Sequence, residues 1–79
     1  MDIQVSPNPF EDEIQVLIND AYRKEVSIEI FDAKGRLVMR EQAWSSDLIN
    51  LSTTSLSTGL YVMLITGNKQ WAIKKILKR

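Results

Sequence analysis

With 79 residues, 44% of them hydrophobic and 25% charged, the chain has room for one domain and one core, and a chain of this size buries only about 60% of the surface it exposes when unfolded. It has no cysteine and no histidine, which excludes disulfides, thiolate nucleophiles, histidine triads and zinc centres. The formal net charge is zero, yet all ten acids and five bases lie in residues 1–47 and the other five bases lie in residues 48–79, so the two parts carry −5 and +5.

Short alternating or apolar runs between turn residues dominate the chain, which is a strand signal. Asp2–Val5 reads as a first strand. Ser6–Phe10, SPNPF, cannot be a central strand, because two prolines remove ladder donors. Glu13–Asn19 alternates with Ile14, Val16 and Ile18 on one face, and Asn19-Asp20-Ala21 reads as a turn. Glu25–Phe31 alternates again, with Val26, Ile28 and Ile30 inward. Asp32-Ala33-Lys34-Gly35 is a tight turn in which Asp suits the first position and Gly the left-handed last one. Arg36–Trp44 returns as the other arm of that hairpin.

Asp47–Leu51 reads as a short strand with Leu48 inward. Ser52–Gly59 is too rich in Ser and Thr for a long helix and reads as a crossing loop with one helical turn at most. Leu60–Thr66 is apolar on both faces, as in a central strand of a sandwich. Gly67-Asn68 turns the chain, and Gln70–Leu77 is the last strand. The expected fold is all-β: a compact antiparallel β-sandwich of about seven strands, immunoglobulin-like in outline, with a small barrel as the competitor. Residues 1–79 are expected to form a single domain, with Met1 an added start residue on a piece of a longer parent. No run reaches the roughly 20 apolar residues that span a bilayer. No basic-then-apolar leader opens the chain, so for an exported form the signal is expected to have been removed or to lie on a longer parent chain.

Candidate sites are few. Glu11-Asp12-Glu13 lacks the spacing of a calcium loop and reads as a solvated turn; no metal or cofactor is expected. No carboxylate pair is singled out for catalysis, and no catalytic residue is assigned. Asn50-Leu51-Ser52 matches a glycosylation acceptor by a pattern short enough to arise by chance. Trp71 among Lys69, Lys74 and Lys75 suggests a nucleic-acid platform. Alternation splits those bases, however: Trp71, Ile73, Lys75 and Leu77 share one side, and Ala72, Lys74, Ile76 and Lys78 the other. Trp71 therefore reads as sheet packing, with no nucleic acid. A strand tail is also a poor amphipathic helix, so membrane insertion is not expected.

The order of these pieces carries more than any one of them. SPNPF, IEIFDAKGRLV, INLSTTSLSTGLYVMLI and KQWAIKKILKR, in that order, resemble the C-terminal sorting domain, type A, of type IX secretion cargo proteins of Bacteroidetes, over Val5 to Arg79. Pro7, Asn8 and Pro9 match its Pro-Asn-Pro motif. Asp32, Gly35 and Arg36 match its hairpin turn, and Leu56, Gly59 and Tyr61 its Leu…Gly-x-Tyr segment. Lys75 and Lys78 match its terminal lysines, flanked by Lys74 and Arg79. Ser57-Thr58 and Ser6 depart from the usual pattern, in loop detail and in packing before the Pro-Asn-Pro motif respectively.

The resemblance implies a secretion address, not a catalyst. Its parent crosses the inner membrane by an ordinary signal peptide, and the folded domain is recognised in the periplasm by the outer-membrane translocon. A sortase-like protease then removes it, leaving the cargo on the cell surface or secreted. Lys74, Lys75, Lys78 and Arg79 are expected to present positive charge to that receptor, which pairs with an exposed edge strand; an unpaired edge also permits a homodimer by strand pairing. The alternative reading is a structural or adhesive immunoglobulin-like module, with carbohydrate binding as one form. At least two of Trp44, Trp71, Tyr22 and Tyr61 look buried, which leaves few aromatics for a sugar-binding face.

Overall fold

A computed structural model describes residues 2–20 and 22–79. Seven strands follow in order: β1 Asp2–Ser6, β2 Glu13–Asn19, β3 Glu25–Asp32, β4 Leu37–Trp44, β5 Leu48–Ser52, β6 Gly59–Gly67 and β7 Gln70–Lys78. They form two antiparallel sheets, β1-β2-β5 and β4-β3-β6-β7. The chain changes sheet between β2 and β3, between β4 and β5, and between β5 and β6. The result is an all-β sandwich of immunoglobulin-like outline.

Period-two alternation decides which residues enter the core. Ile14, Val16 and Ile18 of β2 face Val26, Ile28 and Ile30 of β3 and Tyr61, Met63 and Ile65 of β6, and Phe10 and Ile76 join them. Most of these side chains have no exposed surface. Each such Ile, Val or Phe removed from water stabilises the fold by roughly 1.5–3 kcal/mol before entropy is counted.

The strand expectations hold to within one residue at every end. Leu48 is a correction. It points outward at 57% exposure, and Ile49 and Leu51 fill the inner side of β5. The reason is register: Leu51 lies opposite the buried Ile14 of β2 and Ile49 opposite the buried Val16. Trp71 is a second correction, since it is 69% exposed and packs no sheet. Of the four large aromatics other than phenylalanine, Tyr61 is the buried one; Tyr22, Trp44 and Trp71 are exposed. Arg23 covers the Trp44 ring at 5.0 Å.

The final hairpin turns on Asn68 and Lys69, with φ of 38° and 68°, where Gly67 pairs with Gln70. Two central residues at positive φ make the tight connection that matches strand twist. The 53–58 segment carries no helix. Ala21, the last residue of the expected turn after β2, and Met1 lie outside the described residues.

Candidate functional site

β1 ends at Ser6, and residues 7–10, with cis peptides at Ser6–Pro7 and Asn8–Pro9, run along the far edge of β7. There the Asn8 amide stands in for a strand. Its Nδ2 donates to the Lys75 carbonyl at 3.1 Å and its Oδ1 accepts the Leu77 N–H at 3.0 Å. Phe10 continues the contact with backbone bonds. Its N–H donates to the Leu77 carbonyl, and its carbonyl accepts the Arg79 N–H, both at 2.8 Å. The terminal half of β7 is thus held between β6 and residues 8–10. Prolines suit this position because they need no ladder hydrogen of their own.

Lys78 differs from the expectation that four bases present charge at a free terminus. It is 7% exposed, and its ammonium donates to the carbonyls of Glu11 and, at 3.0 Å, of Thr53. It also sits 5.7 Å from the centre of the Phe10 ring. A buried ammonium needs such acceptors to offset lost hydration. Thr53, fully buried, ties the same knot: its hydroxyl donates to the Glu11 carbonyl and its N–H to the Asp12 carbonyl, each at 2.9 Å. Lys74 is half-buried on the inner side of β7, and Lys75 and Arg79 are exposed. The four bases therefore do not form one patch.

The Asp32 turn lies at the same end, because Asp32 pairs with Tyr61 and Tyr61 with Ile76. One Asp32 oxygen accepts the N–H groups of Lys34 and Arg36, and the other the Arg36 Nε, all at 2.9 Å. The Arg36 N–H, then its guanidinium and the Lys34 N–H, hold the Asp32 carboxyl below the ordinary carboxylate value against opposing desolvation. Gly35 closes the turn at φ 83°. Leu56 is buried, and the Tyr61 hydroxyl donates to the Ser57 carbonyl at 2.6 Å, fixing the loop that enters β6. The Tyr61 and Phe10 rings meet at 6.4 Å, tilted 56°. An open groove of about 440 Å³ runs between the 32–36 turn and the 55–61 loop, with Asp32, Arg36, Leu56, Gly59 and Tyr61 on its walls.

Pro7, Asn8, Pro9, Asp32, Gly35, Arg36, Leu56, Gly59 and Tyr61 therefore gather at one end of the sandwich. The end of β7 lies among them, since Gly59 pairs with Lys78. The sequence reading gave Phe10 and Thr53 no role of their own and took Glu11 as part of a solvated acidic turn, where its carbonyl is the group that is used. Phe10 carried a signal, an aromatic directly after the prolines. Thr53 carried none, since one hydroxyl in a Ser/Thr-rich loop looks like any other. No group of three or more acids is gathered to hold a metal ion among the described residues.

Residues 4–79 match the family described as "Secretion system C-terminal sorting domain". No curated protein matches the chain. Among solved structures, the crystal structure of dimeric latent PorU from Porphyromonas gingivalis is similar, with a TM-score of 0.68 at 20% identity. The match takes in 98% of this chain and 9% of that one. At this identity the likeness is one of fold, to a small part of a much longer protein.

Proposed function

This chain belongs to the secretion system C-terminal sorting domain family, and from that membership we propose that it is read while folded by the outer-membrane translocon in the periplasm and then removed by a sortase-like protease. As a type IX sorting signal it directs a cargo to the cell surface or beyond. It acts as an address, and its residues are assigned no catalytic role.

The observation that carries the folded-state reading is the meeting of distant motif residues around the end of β7. Asn8 lies 67 and 69 positions from the backbone groups it holds. Lys78 reaches 67 positions back to Glu11. A receptor that meets the last strand in this form meets the product of the whole fold. Lys75 and Arg79, exposed, and Lys74, half-exposed, supply the positive charge that steers the encounter. Lys78 serves by holding the strand in place.

The test is export of a fluorescent reporter with a Sec signal at its front and this chain at its back. The host is a Bacteroidetes strain, compared with a translocon-deficient sibling. The reading predicts reporter outside the first and retained in the periplasm of the second. Retention in both, with the domain folded, would contradict it.

A further inference from the structure

An antiparallel sheet with one solvated face ordinarily alternates apolar-in and polar-out. The middle of the β4–β3 half of the larger sheet does so: its outer rows pair Ser27 with Gln42 and Glu29 with Arg40, while Trp44 and Leu37 are exposed at its two ends. The β6–β7 half does not. Its outer rows pair Leu60 with Leu77, Val62 with Lys75, and Leu64 with Ile73. Leu60 is 62% exposed, Ile73 54% and Leu77 38%, while the inner rows of the same strands already fill the core. Trp71 extends this band at its far end, 69% exposed. A contiguous exposed apolar band of this kind marks an interaction site.

The edge of β7 beside this band is half open. Asn8 and Phe10 cover it from Lys75 to Arg79. Nothing among the described residues pairs with the Trp71 and Ile73 backbone along the same edge. The single charge within the band is Lys75, whose cross-strand neighbour is Val62. None of the ion pairs among the described residues includes it.

We propose that the outer face of the β6–β7 ladder, with the open Trp71–Ile73 edge, docks a protein of the export machinery through an apolar surface bearing a carboxylate opposite Lys75. This rests on the sorting reading above and names the chemistry of the receptor. A second copy fits poorly. The same band on a second copy offers Lys75 no carboxylate, since residues 48–79 hold no acid. Antiparallel edge pairing centred on Ile73 carries the partner's 68–69 turn toward the position of Asn8. An apolar partner with one carboxylate satisfies the isolated ammonium and covers the band at once.

The experiment uses the reporter fusion in the type IX host. Every substitution is at an exposed outer-face position, and folding of each chain is checked by thermal unfolding. Leu60→Ser with Ile73→Ser, and separately Lys75→Glu, are expected to lower the extracellular fraction at least about tenfold, as loss of central contacts does at interfaces. Lys75→Arg keeps the charge and is expected to export normally, as is Gln42→Ala on the polar half of the sheet. Normal export of the double and the charge-reversed variants would overturn the proposal. So would sedimentation showing a dimer of the unsubstituted chain that the double substitution dissolves, since the occupant would then be a second copy. Failure of the unsubstituted fusion to leave the cell would instead overturn the sorting reading on which the proposal stands.

Discussion

Lys78 shows how far a single residue can depart from its surface in the sequence. As one of several bases in a polar tail it looks solvated, yet its ammonium is buried on two carbonyls and an aromatic ring. Lys78→Met keeps the length and removes the donor, leaving the Thr53 carbonyl without it and the Glu11 carbonyl with the Thr53 hydroxyl alone. Chemical denaturation should show a loss of about 1–3 kcal/mol, the cost of buried acceptors left unmade. An unchanged midpoint would mean that the ammonium contributes nothing to the fold. Asn8→Ala should lose about 1–2 kcal/mol through two hydrogen bonds, and Asn8→Asp less, because it keeps the acceptor for the Leu77 N–H.

Two carboxyls contribute stability that is lost in acid. The Lys24 ammonium, paired at 2.9 Å, and the Tyr22 N–H lower Asp20 from its ordinary 3.8, and the Arg36 and Lys34 contacts lower Asp32. A carboxyl lowered in the folded state adds stability above its unfolded value, and that stability is lost as pH falls through the folded value. Urea midpoints should therefore hold steady above pH 3.8 with respect to these groups and fall below it. Asp32→Asn should fall less steeply over that acid range. An equal slope would remove Asp32 from the account. The Asp-x-x-Gly pattern was readable because its hydrogen bonds are local. Lys78 and Thr53 were not, because their partners lie 67 and 42 positions away.

At the scale of elements, alternation placed β2 and β3 correctly, since each has one strongly apolar face. It failed for β5 and for Trp71. Leu48, Ile49 and Leu51 offer two apolar phases in five residues, and only the pairing with β2 selects one. In β7 both faces are rich in apolar residues, so the sequence shows no preference and the sandwich covers one face alone. The β6–β7 connection yields two predictions of opposite sign. A Cβ at Gly67 would lie 2.9 Å from Val26 Cγ1 and 3.3 Å from the Glu25 carbonyl oxygen. Gly67→Ala should therefore lower the melting temperature. Lys69 holds φ 68°, a left-handed state costing an ordinary residue roughly 1–2 kcal/mol. Lys69→Gly should raise stability by up to about 1 kcal/mol once glycine's greater backbone entropy in the unfolded chain is counted. Thermal unfolding of both variants checks the pair, and a shift in the same direction for each would contradict this description of the turn.

At the scale of the molecule, one pole carries the motif residues and the anchored end of β7, and one face of the β6–β7 ladder is apolar and uncovered. The order of short motifs made the sorting domain recognisable in the sequence. Their convergence is a property of the folded chain, because it depends on sheet order and on the crossings between the two sheets. On the proposed reading, the address is the folded domain and not its basic tail. Phe10 tests this directly, being fully buried and 64 positions before the first of the terminal bases, Lys74. The decisive measurement is the extracellular fraction of the reporter carrying Phe10→Ser against the unsubstituted chain, at equal cellular levels and with unfolding of the variant verified. Phe→small substitutions in cores cost about 3–5 kcal/mol, a large share of what a chain of this size has to lose. Export is expected to stop although every base from Lys74 to Arg79 is intact. Undiminished export of the unfolded variant would show that the tail alone is read.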